Sequence, residues 1–117
     1  MKFAIFLLAD TKSNEGLGRM VNALEATKQF KEAGDEVKLY FDGTGTKWIS
    51  ELSKKDHLAH ELFDSIKDKV EGACLFCAQA FGAKDSVSQC KIELVDQKDN
   101  HVDVRKLTSD GFSILNF

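Results

Sequence analysis

Residues 71–82 read EGACLFCAQAFG and carry Cys74 and Cys77, two of the chain's three cysteines, with two residues between them. Thiols at this spacing can close a disulfide, supply half of a zinc site or present a nucleophilic sulfur. They can also be two inert, small apolar side chains packed in a core. Cys90 and His101 would complete a four-ligand zinc set on paper. Structural zinc sites, however, usually pair two tight knuckles, and here there is only one.

The remaining polar residues make weaker cases. His57 and His60 lie beside Glu61 in a stretch that also holds Lys54, Lys55 and Asp56, which reads as the solvated start of an amphipathic helix rather than a metal pair. The loop ADTKSNEGLG leads into a helix and invites comparison with phosphate-binding loops. Its Gly16 and Gly18 match neither G-x-G-x-x-G nor the Walker pattern, and Asp10 and Glu15 would repel a phosphate. Asp42-Gly-Thr-Gly45 is a tight turn first and a binding loop second. His101 and Asp103 follow a polar loop that could reach the sheet edge near the cysteines. There is no G-x-S-x-G elbow, no H-E-x-x-H and no paired-carboxylate pattern, so the cysteines alone carry a specific chemical expectation.

The elements that must position them follow from hydrophobic periodicity. Lys2 to Leu8 is a nearly continuous apolar run, as in a strand covered on both faces. Ser13 or Asn14 can cap a helix over about 15–33, whose apolar residues Leu17, Met20, Val21, Leu24 and Phe30 recur at helical spacing until Gly34 stops it. Asp35 to Phe41 gives a second strand. Helices follow over about 47–52 and 56–69, the second with Leu58, Leu62, Phe63, Ile66 and Val70 as its stripe. Gly72 to Phe76 reads as a short buried strand, and Cys77 to Phe81 as the start of a helix. Within the poorly patterned segment 83–99, Val87 suggests a brief helix and Ile92 to Val95 a short strand or extended loop. A last helix over 102–109, stopped by Gly111, precedes a closing strand over 112–117.

Strands alternating with helices predict a mainly parallel sheet of about five strands between helical layers, a three-layer α/β/α, flavodoxin-like single domain over 1–117. In such sheets ligands gather outside the C-terminal strand ends, where the C-x-x-C falls. With 43% hydrophobic and 30% charged residues the composition is that of a soluble globular protein. A net charge of -3 leaves no basic stripe for nucleic acid, and no apolar run is long enough to span a bilayer. The opening MKFAIFLLAD reads as a strand rather than a signal peptide. The expected location is therefore cytoplasmic, with reduced thiols, and the odd cysteine count agrees.

A thiol in the first turn of a helix faces backbone N–H groups that stabilise its thiolate, which favours Cys77 as the reactive sulfur; Cys74, within the strand, would point into the core. A thioredoxin-type reductase is excluded. The motif follows the third strand instead of opening an early redox helix, and the chain has no proline for the cis-proline loop that thioredoxins set against their cysteines.

The opening strand and its glycine-bearing loop, EVKLYFDGTGTKWI, CLFCAQAFGA and the closing LTSDGFSILNF together resemble the DsrE/DsrF (DsrEFH) family of sulfur-relay proteins, across essentially the whole chain. The resemblance implies a compact α/β/α domain that assembles as a homo-oligomer (dimer, trimer or hexamer). It also implies a cysteine after a central strand that holds sulfane sulfur as a persulfide and passes it between donor and acceptor proteins or small thiols. That position matches Cys77, with Cys74 as its neighbour. The well-characterised carriers use one key cysteine with a longer spacing to the following glycine, whereas the C-x-x-C here is that of small, stand-alone relatives. The expected function is a sulfur carrier with sulfurtransferase-like or thiol-redox chemistry, without cofactor or metal. The alternative is a non-catalytic oligomeric module of the same fold that binds a small molecule or metal.

Overall fold

The computed structural model describes residues 1–117 and contains one sheet of five parallel strands in the order β4-β3-β2-β1-β5. The strands are β1 (Lys2–Leu7), β2 (Glu36–Phe41), β3 (Val70–Cys74), β4 (Leu94–Val95) and β5 (Ser113–Asn116). The helices are α1 (Asn14–Glu32), α2 (Trp48–Leu52), α3 (His60–Ile66), α4 (Leu75–Ala80), α5 (Lys84–Gln89) and α6 (Val104–Ser109). The expected α/β/α arrangement is therefore the observed one.

Side chains alternate across the strands, so the sheet has two different cores. Ile5, Leu7, Leu39, Phe41 and Ala73 face the larger, an 18-residue cluster that takes Met20 and Leu24 from α1, Ile49 and Leu52 from α2, Phe63 and Ile66 from α3, and Val87 from α5. Ala4, Phe6, Tyr40, Cys74 and Val95 face the smaller, an eight-residue cluster closed by Val102, Leu107 and Phe112. The thin layer is α6 with its flanking loops. Right-handed crossovers explain the imbalance: connections stepping from β1 through β4 place their helices on one face, and the return from β4 to β5 must cross on the other.

Ser13 is the N-cap of α1, its Oγ accepting from the Gly16 N–H at 3.0 Å, as the sequence suggests. Ser13→Ala should lower stability by about 1 kcal/mol, read as a fall in the midpoint of thermal unfolding with the sheet's circular dichroism unchanged. Gly16 serves packing, because a Cβ there would collide with the Asp10 carbonyl.

Three readings shift. The stretch 56–69 is helical only from His60, as α-helix to Ile66 and as a 3-10 turn over Lys67–Lys69, and Leu58 lies in the turn before it, 74% exposed, outside the apolar stripe. The third strand is Val70–Cys74 rather than 72–76, because Glu71 bulges out of register where Leu39 pairs with Val70 but Tyr40 pairs with Gly72. Helix α4 consequently starts at Leu75. Helix α6 begins at Val104, where the Asp103 side chain accepts from the Lys106 N–H at 2.9 Å, so Val102 is a buried loop residue.

Candidate functional site: a dithiol and an imidazole at the β3–β4 crevice

Beyond β3 the chain turns towards the larger core through α4 and α5; beyond β4 it turns to the opposite face through α6. Neighbouring strands whose continuations part to opposite faces open a crevice at the C-terminal sheet edge, the usual ligand position in open α/β folds. Cys74, the last residue of β3, and Cys77, in the first turn of α4, lie on the β3 side of this position. The loop from Asp96 to Asp103 forms the other.

All three cysteines are free. Cys74 is fully buried and faces the thin core, while Cys77 is half-buried at its edge, with the two sulfurs 3.6 Å apart. The loop after β4 makes a tight turn in which Lys98 bridges antiparallel to His101 and the central residues Asp99 and Asn100 have φ of 51° and 69°. Two successive positive φ values are the signature of a type I′ turn, which Asp and Asn tolerate better than most residues. The Phe76 N–H donates to the Asn100 carbonyl at 2.9 Å and pins the turn against α4. The Phe76 ring also lies against the His101 ring, with centroids 4.7 Å apart. So held, His101 Nδ1 stands 3.3 Å from Cys74 Sγ, while the Asn100 carbonyl is 3.7 Å from the same sulfur. The two sulfurs and the imidazole nitrogen all lie within 4.8 Å of one another.

The loop after β2 contributes the third wall. Asp42 caps a short 3-10 turn over Gly43–Lys47 and accepts from the Gly43 N–H at 2.9 Å. That loop is held on β1: Thr44 donates to the Leu8 carbonyl at 2.8 Å and the Trp48 indole to the Ala9 carbonyl at 2.8 Å. It sets Asp42 and Gly43 against Cys77. Burial, followed by hydrogen bonding to the Asp42 carboxylate, pushes the Cys77 thiol up to about 12; the Gly43 N–H pulls the other way, and the hydrogen bond shared with Cys74 adds to the rise. The expected ready-made Cys77 thiolate is thus opposed. Helix α4 has only six residues, so its dipole is small, and a carboxylate sits where the sequence suggested only backbone donors.

The other candidate residues are elsewhere. Cys90 packs against the larger core on the far face of the sheet, apart from the pair. His57 Nδ1 accepts from the Ala59 N–H at 3.1 Å and His60 Nδ1 lies 2.8 Å from the Leu52 carbonyl, so each histidine serves its local backbone. Asp10 pairs with Lys47 at 3.1 Å, which holds its carboxyl below the usual value. The sequence placed His101 within reach of the cysteines, as the structure does, and offered Asp42-Gly-Thr-Gly45 as a turn and binding loop without foreseeing that the Asp42 carboxylate meets Cys77. The strand-end position of DGTG was the available signal, since loops at that edge converge.

Fold and site together define a parallel α/β protein with a reduced dithiol and an imidazole at the switch point of its sheet. Over 116 residues the chain is 28% identical to the uncharacterized protein MJ0733 of Methanocaldococcus jannaschii, the alignment covering 98% of this chain and 94% of that relative. No family model matches the chain, and no solved structure matches it. No helix is long and apolar enough to cross a membrane.

Proposed function

We propose that this chain carries sulfane sulfur on Cys77, with Cys74 as the resolving thiol, in the manner its resemblance to the sulfur-relay family implies. The observation that carries this reading is a half-buried and a fully buried sulfur 3.6 Å apart, the inner one against an imidazole nitrogen. Cys77 is the sulfur a donor can reach. Its Sγ attacks the outer sulfur of a donor persulfide, the donor S–S bond breaks, and the donor leaves as a thiol with the proton that Cys77 gives up. The product is Cys77–S–SH. An acceptor thiol that attacks the outer sulfur takes it and regenerates Cys77.

Cys74 offers a second exit. His101 Nδ1 takes its proton, and Cys74 Sγ attacks the inner sulfur of the persulfide, expelling hydrosulfide and forming the Cys74–Cys77 disulfide. The sulfurs must close by about 1.5 Å to reach bonding distance, a small movement for a strand end and a first helical turn. Two equivalents of an external thiol then restore the dithiol. A cytoplasmic setting, where thiols are kept reduced, suits this cycle, as does the homo-oligomeric assembly implied by the same resemblance.

Intact mass after treatment of the reduced protein with inorganic polysulfide tests the reading. Cys74→Ser should gain one sulfur atom, the wild type should gain one sulfur atom or, once Cys74 has resolved it, lose two hydrogens, and Cys77→Ser should do neither at that site. Loading that persists undiminished in Cys77→Ser would sink the proposal.

A further inference from the structure

We infer that Cys74, Cys77 and His101 form a preorganised site for a zinc-like divalent cation with one coordination position left open. The inference uses the same residues as the sulfur reading but does not depend on it.

Two thiolates and an imidazole are a donor set suited to zinc, and three protein ligands with one open position is the arrangement of reactive rather than purely structural zinc sites. The geometry discriminates further. With Zn–S near 2.3 Å and Zn–N near 2.0–2.1 Å, a tetrahedral site has an S···S edge of about 3.8 Å and an S···N edge of about 3.5 Å. The protein holds Cys74 and Cys77 sulfurs at 3.6 Å and Cys74 Sγ to His101 Nδ1 at 3.3 Å, with all three atoms inside 4.8 Å. The two edges that meet at Cys74 need to open by only about 0.2 Å; the third, from Cys77 to the imidazole, lies within the 4.8 Å envelope, and a rotation of the half-buried Cys77 side chain or the His101 ring would bring it to the tetrahedral length.

The ligands are also aimed. Cys74 is fixed by strand pairing to Val95, and the His101 turn is closed by paired backbone bonds to Lys98, at 3.0 and 2.9 Å. Cys77 keeps accessible surface, and its side is the one from which a small ligand would reach the fourth position. Charge is balanced, because two thiolates neutralise a divalent ion once their two protons have left for solvent.

Cobalt(II) titration of the full, reduced chain, followed by zinc displacement and metal analysis, decides the matter. The expected result is one equivalent per chain, with intense visible bands of tetrahedral cobalt and near-ultraviolet thiolate-to-cobalt charge transfer. His101→Ala and Cys77→Ser, both at half-buried positions and expected to fold, should weaken binding more than roughly a hundredfold, beyond the loss usual for a residue that only supports a ligand. Cys90→Ser should bind as the wild type does. Sub-stoichiometric uptake by the wild type, or undiminished affinity in His101→Ala, would overturn the site. Polysulfide loading of the same samples reports on the sulfur reading separately, so either can fail while the other stands.

Discussion

Asp42→Asn should make Cys77 several-fold to tenfold more reactive towards iodoacetamide at pH 8–9, in reduced, metal-free protein with Cys90→Ser as background. The Asp42 carboxylate raises the Cys77 thiol in two ways, by accepting its hydrogen bond and by repelling the thiolate charge. Asparagine removes the charge while keeping an oxygen that can accept from the Gly43 N–H, so the turn keeps its cap. One unit of thiol pKa is about tenfold in thiolate at a pH below it; burial, the largest cause, remains, so the gain is bounded. The sign extends to stability. With the folded thiol pushed up to about 12 from an ordinary 9.0, the native state keeps a proton that the unfolded chain loses. This contribution is present below pH 9 and lost as pH rises towards 12, and Asp42→Asn should make that alkaline loss shallower. Mapping alkylated peptides separates Cys77 from buried Cys74. Unchanged or slower alkylation would show that Asp42 does not hold the proton.

Gly45→Ala should cost about 3 kcal/mol or more and disturb the site as well. A Cβ at Gly45 would run into the Leu7 carbonyl and its carbon, both backbone atoms of the hydrogen-bonded strand β1 that cannot swing aside. The loop must therefore lift from β1, straining the Thr44–Leu8 and Trp48–Ala9 hydrogen bonds and drawing Asp42 and Gly43 away from Cys77. Urea unfolding gives the first effect and the Cys77 alkylation rate the second. Gly18→Ala is the internal control, since a Cβ there meets nothing within 4 Å. A Gly45→Ala protein as stable as the control would refute the close approach.

The fold was legible where pattern and packing agree. The run FAIFLL, the spacing of Met20 and Leu24 and the strand EVKLYF are all local signals, and they give β1, α1 and β2 within a residue or two. The α3 region misled because a leucine at helical spacing, Leu58, can sit in a turn whose backbone is bound by the His57 ring. The β3 boundary was hidden by a bulge whose only mark in the sequence is Gly72, a strand glycine with φ of 155° that reads as the strand's first residue. Within the site, the C-x-x-C announced itself, but its chemistry depends on His101, 27 residues on from Cys74, and on a carboxylate from another strand. Cys77 therefore read as an activated thiol from its helix position alone, whereas its surroundings hold the proton on.

The two-residue strand β4 has a mechanical consequence. Cys74 ends a strand whose inner neighbour, β2, belongs to a six-residue ladder with β1, but whose outer neighbour offers only Leu94 and Val95. The inner side of the crevice is built into the cooperative unit of the sheet, and the outer side, with its histidine turn, hangs from a short edge that can detach at low cost. Access to the sulfur at the bottom thus requires no global unfolding. The imidazole therefore hangs from the weaker side of the site and the cysteines from the stronger, and the Phe76 contacts to Asn100 and His101 are what tie the two together.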